Sequence, residues 1–179
     1  MHEQVKPPNR FRHMLKRKEI FMEDFLANKN FGSMLSRKSP SAHAWISGNA
    51  DYPQLNGLAR FYETPMGGIL VSVEVYGIPD TSPSGFHGMH IHEVGDCTLP
   101  FDKTGGHFNP TGAPQPEHAG DLLPLLSNNG YAYETFYDTK FTITDIIGKS
   151  LIIHSMRDDF TSQPSGDSGV KIGCGVIRR

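Results

Sequence analysis

From Ala42 onward the apolar residues fall largely on alternate positions, and before it they do not. Ala42–Ser47, Leu55–Tyr62, Gly68–Tyr76 and Phe86–Val94 carry this period of two, broken by Gly48-Asn49, Pro65 and Pro79-Asp80. Alternation sends successive side chains to opposite faces, so each segment reads as a strand with one buried side. Three further strands are predicted at about 130–136, 149–154 and 171–177. The spacing and turn chemistry predict an all-β antiparallel sandwich or flattened barrel rather than βαβ units. From Thr98 to Pro124 the strand pattern fades and Gly and Pro are frequent. A structureless run of that length inside a small domain is usually functional. Ahead of the strands, Phe11, Met14, Leu15, Phe21, Met22, Phe25 and Leu26 recur at near-helical spacing among Lys and Arg. They predict an amphipathic helix over about 9–28, followed by a polar linker over 29–40. The chain thus divides into an N-terminal extension, 1–40, and a β domain, 41–179, with no internal repeat.

A length of 179 residues supports one well-buried core. The net charge of −2 conceals an asymmetry: residues 1–40 hold nine Lys/Arg against four Asp/Glu, and the remainder eight against fifteen. A basic arm on an acidic body reads first as a solvated tail, with attachment to an anionic surface as the alternative. No recognition motif accompanies the charge, so no nucleic-acid partner is expected. The longest apolar run in the first forty residues is Ile20-Phe21-Met22, far short of a signal-peptide core or a membrane span. A cytoplasmic or non-classically surface-associated protein is therefore expected. Cys97 and Cys174 lie far apart and neither belongs to a CxxC pair; buried thiols and a disulfide both fit.

The candidate chemistry lies in the histidines. His90 and His92 form an HxH in which strand alternation places both imidazoles on one face. His107, in HFNP, and His154, in IIHS, complete a set of four. Four imidazoles without a carboxylate or thiolate suit copper. Each taken singly reads as a framework histidine, as His43 and His87 do; the constellation points to a metal site. His2 and His13, in the arm, carry no metal-ligand pattern.

GFHGMHIHEVGDC from Gly85, then GGHFNP (105–110), HAGDL (118–122), IIH (152–154) and KIGCGVI (171–177) run in one order along the chain. They resemble the copper–zinc superoxide dismutases, of bacterial type with a shortened zinc loop, over about Ser41 to Ile177. The resemblance implies a Greek-key β-sandwich and one-electron dismutation of superoxide to dioxygen and hydrogen peroxide. It implies copper on His90, His92, His107 and His154, with His107 also facing zinc and acting as the proton donor. It implies zinc on His107, His118 and Asp121, a disulfide between Cys97 and Cys174, and Asp158 linking the copper and zinc sides. His87 would brace the loops without binding metal.

Two positions depart from the family pattern. Lys171 stands where the family has an arginine that guides the anion; it keeps the charge and loses the planar fork. A solvent-facing lysine on a strand edge is the plainer reading. Gln115 stands where the family has a further zinc histidine. An amide is a poor zinc ligand beside imidazole, so the pattern tips against structural zinc. Without zinc, His118 and Asp121 are expected to hydrogen-bond one another or Asp158. The short loop at Gln163–Gly166 is expected to leave copper more open. The alternative to an enzyme is a superoxide dismutase-like copper-binding or structural protein with little turnover. A homodimer is compatible with either reading.

Overall fold

A computed structural model describes residues 38–179 together with Leu35. The helix expected over 9–28 and most of the linker lie outside the described residues. Nine strands follow: β1 Ala42–Gly48, β2 Asn56–Glu63, β3 Ile69–Tyr76, β4 Phe86–His87, β5 Met89–His92, β6 Leu125–Leu126, β7 Tyr131–Asp138, β8 Ser150–His154 and β9 Lys171–Arg178. A short helix, α1 (Ile143–Ile146), precedes β8. Thr142 starts it with a capping box: its hydroxyl accepts from Asp145 N while the Asp145 carboxylate accepts from Thr142 N.

Seven strands form one antiparallel sheet in the order β5-β8-β9-β1-β2-β3-β7, and β4 pairs with β6 in a two-stranded ribbon. The chain leaves β3 near one edge and enters β5 at the other, then returns to pair β7 with β3 and β8 with β5. These long crossings are the mark of Greek-key connectivity. The ribbon lies between the two sheet edges, since β4 runs into β5 and Leu126 N donates to Glu134 on β7. The fold is an all-β Greek-key barrel: the alternation predicts the antiparallel sandwich or flattened barrel, and the family resemblance implies its Greek-key connectivity.

One strand expected as Phe86–Val94 is in fact two. Gly88 N donates to Met156 O rather than into a ladder, which separates the ribbon strand β4 from the sheet strand β5. The 98–124 loop also holds a short 3-10 turn, Asp102–Thr104, that its weak pattern did not reveal.

Alternate residues supply the core: Ala42, Ala44 and Ile46 from β1, Val71, Val73 and Val75 from β3, Met89 and Ile91 from β5, Leu151 and Ile153 from β8. All are essentially inaccessible, and each large aliphatic side chain buried this way contributes about 1.5–3 kcal/mol. The same alternation sends His90 and His92 to the opposite face of β5. That face is also covered, because loops pack on it. Ile152 meets Phe101 and Cys174 there in a second, smaller apolar cluster. No helix among the described residues is long and apolar enough to cross a membrane.

Candidate metal centre

Strand β5 positions the site. Its inner edge pairs with β8, setting His90 opposite Ile152 and His92 opposite Ser150. Its outer edge takes the 98–124 loop twice, through Phe108 N to Ile91 O and Leu122 N to Met89 O. Bridges then form between His92 and His107 and between His90 and Asp121. Gly120 makes this approach feasible: a Cβ there would lie 2.3 Å from Ile91 O. The fourth histidine, His154, ends β8 at a bulge, where its N donates to Gly88 O.

The four rings converge. His90 and His107 have centroids 3.9 Å apart, His90 and His154 4.9 Å, His92 and His107 5.0 Å, and His92 and His154 5.6 Å. One nitrogen from each lies within 4.8 Å of the others. The opposite nitrogen of every ring is already engaged. His90 Nε2 donates to Asp158 Oδ2 at 2.7 Å, His92 Nδ1 to Gly105 O at 2.9 Å, His107 Nδ1 to Asp121 Oδ1 at 2.7 Å, and His154 Nδ1 to Gly169 O at 3.2 Å.

A neutral imidazole that donates from one nitrogen bears a lone pair on the other. His90 Nδ1, His92 Nε2, His107 Nε2 and His154 Nε2 are those lone pairs, and all four are buried without a partner. Buried acceptors that face one another with no donor between them call for a cation. Burial also keeps the rings neutral. It pushes His92 down to about 3, and pushes His90 and His154 below the ordinary imidazole range despite their hydrogen bonds. Neutral imidazole donors of this kind fit copper.

A second cluster shares His107. One ligand atom each from His107, His118 and Asp121 falls within 4.8 Å of the others. His118 Nδ1 lies 3.2 Å from Asp121 Oδ1 and 3.4 Å from His107 Nδ1. Burial would raise the Asp121 carboxyl, but the hydrogen bond from His107 and the neighbouring imidazoles outweigh it and hold the group below its usual range. The expected bond between His118 and Asp121 is present. Asp158, the alternative partner, is taken instead by Gln115, whose Nε2 donates to Asp158 Oδ2 at 2.8 Å.

Lys171 departs from the strand-edge reading, because β9 lies between β8 and β1 in the sheet interior. Its Nζ donates to Thr104 Oγ1 at 2.8 Å and to Gly105 O at 3.3 Å, the same carbonyl that fixes His92. Partial burial lowers its pKa, and its charge is among those that lower His92's. Cys97 and Cys174 are joined, so the loop before the 3-10 turn is pinned to β9 beside Lys171. His87 is buried and faces His154 O through Nδ1 at 2.9 Å, outside the cage. Asp159 accepts from Thr161 N, Ser162 N and Ser162 Oγ and so closes a local turn.

The short loop at 163–166 does not expose the rings: His90, His92, His107 and His154 are 0%, 3%, 7% and 4% exposed. Gln163, itself exposed, reaches Gln115 through two hydrogen bonds to its main chain. Sequence reasoning missed that contact and the carbonyls of Gly105 and Gly169, since a backbone acceptor leaves no side-chain signature. It also missed Lys140, whose Nζ donates to Asp121 O behind the second cluster.

Fold and site together define a β-barrel metalloprotein. The family model described as copper/zinc superoxide dismutase (SODC) matches residues 55–177. The chain is 33% identical over 165 residues to a superoxide dismutase [Cu-Zn] of Paramecium bursaria Chlorella virus 1, an alignment covering 83% of each. It is 32% identical over 147 residues to one of Deinococcus radiodurans, covering 70% of this chain and 78% of that one. It is also 33% identical over 138 residues to the copper chaperone for superoxide dismutase of Homo sapiens, covering 70% of this chain and 49% of the chaperone. The protein belongs to the copper/zinc superoxide dismutase family, and with it to the copper-dependent oxidoreductases.

Proposed function

We propose that this chain disproportionates superoxide at His90, His92, His107 and His154 by one-electron cycling. The observation that carries the reading is the set of four buried, unpartnered ring nitrogens that face one another. Copper held there supplies the redox couple: one superoxide is oxidised to dioxygen, and a second takes the electron and two protons to become hydrogen peroxide. The protein supplies geometry, charge and protons.

Asp158, Gly105, Asp121 and Gly169 each hold one ring in the tautomer that leaves its ligating nitrogen bare. His107 belongs to both clusters, so a proton held at its Nε2 lies where the reduced product needs one. With no cation in the second cluster, its Nδ1 donates to Asp121, which keeps the ring from swinging away. Lys171, beside the carbonyl that anchors His92, places a positive charge next to the cage and draws the anionic substrate toward it.

The test is direct. Copper-loaded protein is expected to dismute superoxide, and His92→Ala to lose both turnover and the cupric EPR signal. An active His92→Ala variant overturns the ligand assignment. The similarity to a copper chaperone favours one second reading, a copper-binding protein with little turnover. Full copper occupancy without dismutation would select it. We also propose a homodimer, supported by Trp45 (68% exposed) and Leu99 (55%), which line one groove with Cys97 and Cys174. A monomer in sedimentation velocity at micromolar concentration rules it out.

A further inference from the structure

Among the described residues, five buried side-chain atoms lack a hydrogen-bond partner, and four are the ring nitrogens of the cage. The fifth is Gln115 Oε1. The residue is buried, and its side chain is held from the other end, where Nε2 donates to Asp158 Oδ2 at 2.8 Å. That same oxygen receives His90 Nε2 at 2.7 Å. The amide cannot be reversed, because its oxygen would then face a carboxylate oxygen. The main chain is fixed as well: Gln115 N donates to Gln163 Oε1 at 3.1 Å, and Gln163 Nε2 donates back to Gln115 O at 3.2 Å. Gln115 is therefore a clamped side chain with one bare acceptor.

An amide sets an N–H and a lone-pair oxygen on one carbon, just as a neutral imidazole sets an N–H and a lone-pair nitrogen. Gln115 thus combines a donor to Asp158 with a bare, buried acceptor on the same side-chain carbon. The adjoining cluster lacks such an acceptor. His107, His118 and Asp121 provide three donors, whereas a closed zinc site takes four. Gln115 stands three residues from His118 and shares Asp158 with His90, whose ring stacks on His107.

We propose that Gln115 Oε1 is the fourth ligand of a zinc-type divalent cation that displaces the proton between His107 Nδ1 and Asp121 Oδ1 and is held by those two atoms and His118 Nδ1. This rests on reading the second cluster as a metal centre. It reverses the expectation that the glutamine simply removes a ligand. An amide oxygen is a weaker donor to zinc than imidazole, so this centre binds its cation more loosely than one closed by a third histidine.

The experiment uses the full chain with its copper site filled by Cu(I), which is diamagnetic, and adds Zn²⁺ against a chromophoric chelator. One zinc per chain is expected, and the ¹H–¹⁵N signals of the Gln115 side-chain amide are expected to move as it binds. Gln115→Met should bind zinc at least tenfold more weakly, and Gln115→His at least tenfold more tightly. Zinc uptake with unmoved amide signals, or with Gln115→Met matching the parent, overturns the glutamine ligand and leaves the second centre standing. Zinc binding by Gln115→His alone also overturns it. If neither the parent nor Gln115→His takes up zinc, the second centre itself is refuted. The amide signals are read on the unaltered protein, so a Gln115→Met variant that fails to fold does not blunt the test.

Discussion

Asp158→Asn changes one atom at the junction between the copper cage and the loop that carries Gln115. The carboxylate accepts three hydrogen bonds: His90 Nε2 and Gln115 Nε2 on Oδ2, and Phe160 N on Oδ1. Asparagine has one acceptor oxygen. If that oxygen keeps His90 and Gln115, the amide NH₂ opposes Phe160 N; if the side chain flips, it opposes two donors at once. A buried donor left unsatisfied costs about 1–3 kcal/mol, and hydrogen bonds to a charged acceptor exceed neutral ones by roughly another 1 kcal/mol each. The metal-free protein should therefore lose about 3–5 kcal/mol on this reckoning. Copper should bind about 10–100-fold more weakly, because a mobile His90 no longer presents Nδ1 inward. Chemical denaturation of the metal-free protein and competition with a Cu(I) chelator measure the two effects separately. If Asp158→Asn retains both its denaturation midpoint and its copper affinity, the carboxylate does not orient His90.

Three further outcomes follow from the same geometry. Gly120→Ala drives a methyl toward Ile91 O, a backbone atom that cannot yield, and should destabilise the fold by about 1–3 kcal/mol while lifting the loop from β5; unchanged stability and copper content would show that the loop docks otherwise. Lys171→Met should slow dismutation about tenfold at low salt and flatten its ionic-strength dependence, whereas Lys171→Arg should retain both; a flat salt profile in the parent removes the steering role. Burial holds folded His90, His92 and His154 below the unfolded imidazole value, His92 at about 3. The unfolded chain therefore binds more protons below about pH 6.5, and the metal-free protein should lose stability as pH falls from there toward 3, which thermal melts between pH 7.5 and 4.5 will register. A level melting temperature over that range contradicts the buried, neutral cage.

Local order in this chain is written in its residues. A period of two is a property of a strand, so Ala42–Gly48, Ile69–Tyr76 and the shared face of His90 and His92 were legible without any tertiary information. The ligand types were legible too, since imidazole carries its chemistry wherever it lies. What the periodicity did not disclose, and only the family resemblance implied, depends on pairing between distant segments. His107 meets His92 only because the loop returns to the outer edge of β5, and Cys97 meets Cys174 across 77 positions. The bare nitrogen of each ring is chosen by whichever oxygen takes the other one: a carboxylate from Asp158 or Asp121, or a carbonyl from Gly105 or Gly169. Gln115 shows the difference most clearly. Read along the chain it is a missing histidine; placed against Asp158 and clamped by Gln163, it becomes a donor at one end and an unpaired acceptor at the other. Hydrogen-bond partners are set by three-dimensional proximity, which local periodicity does not encode.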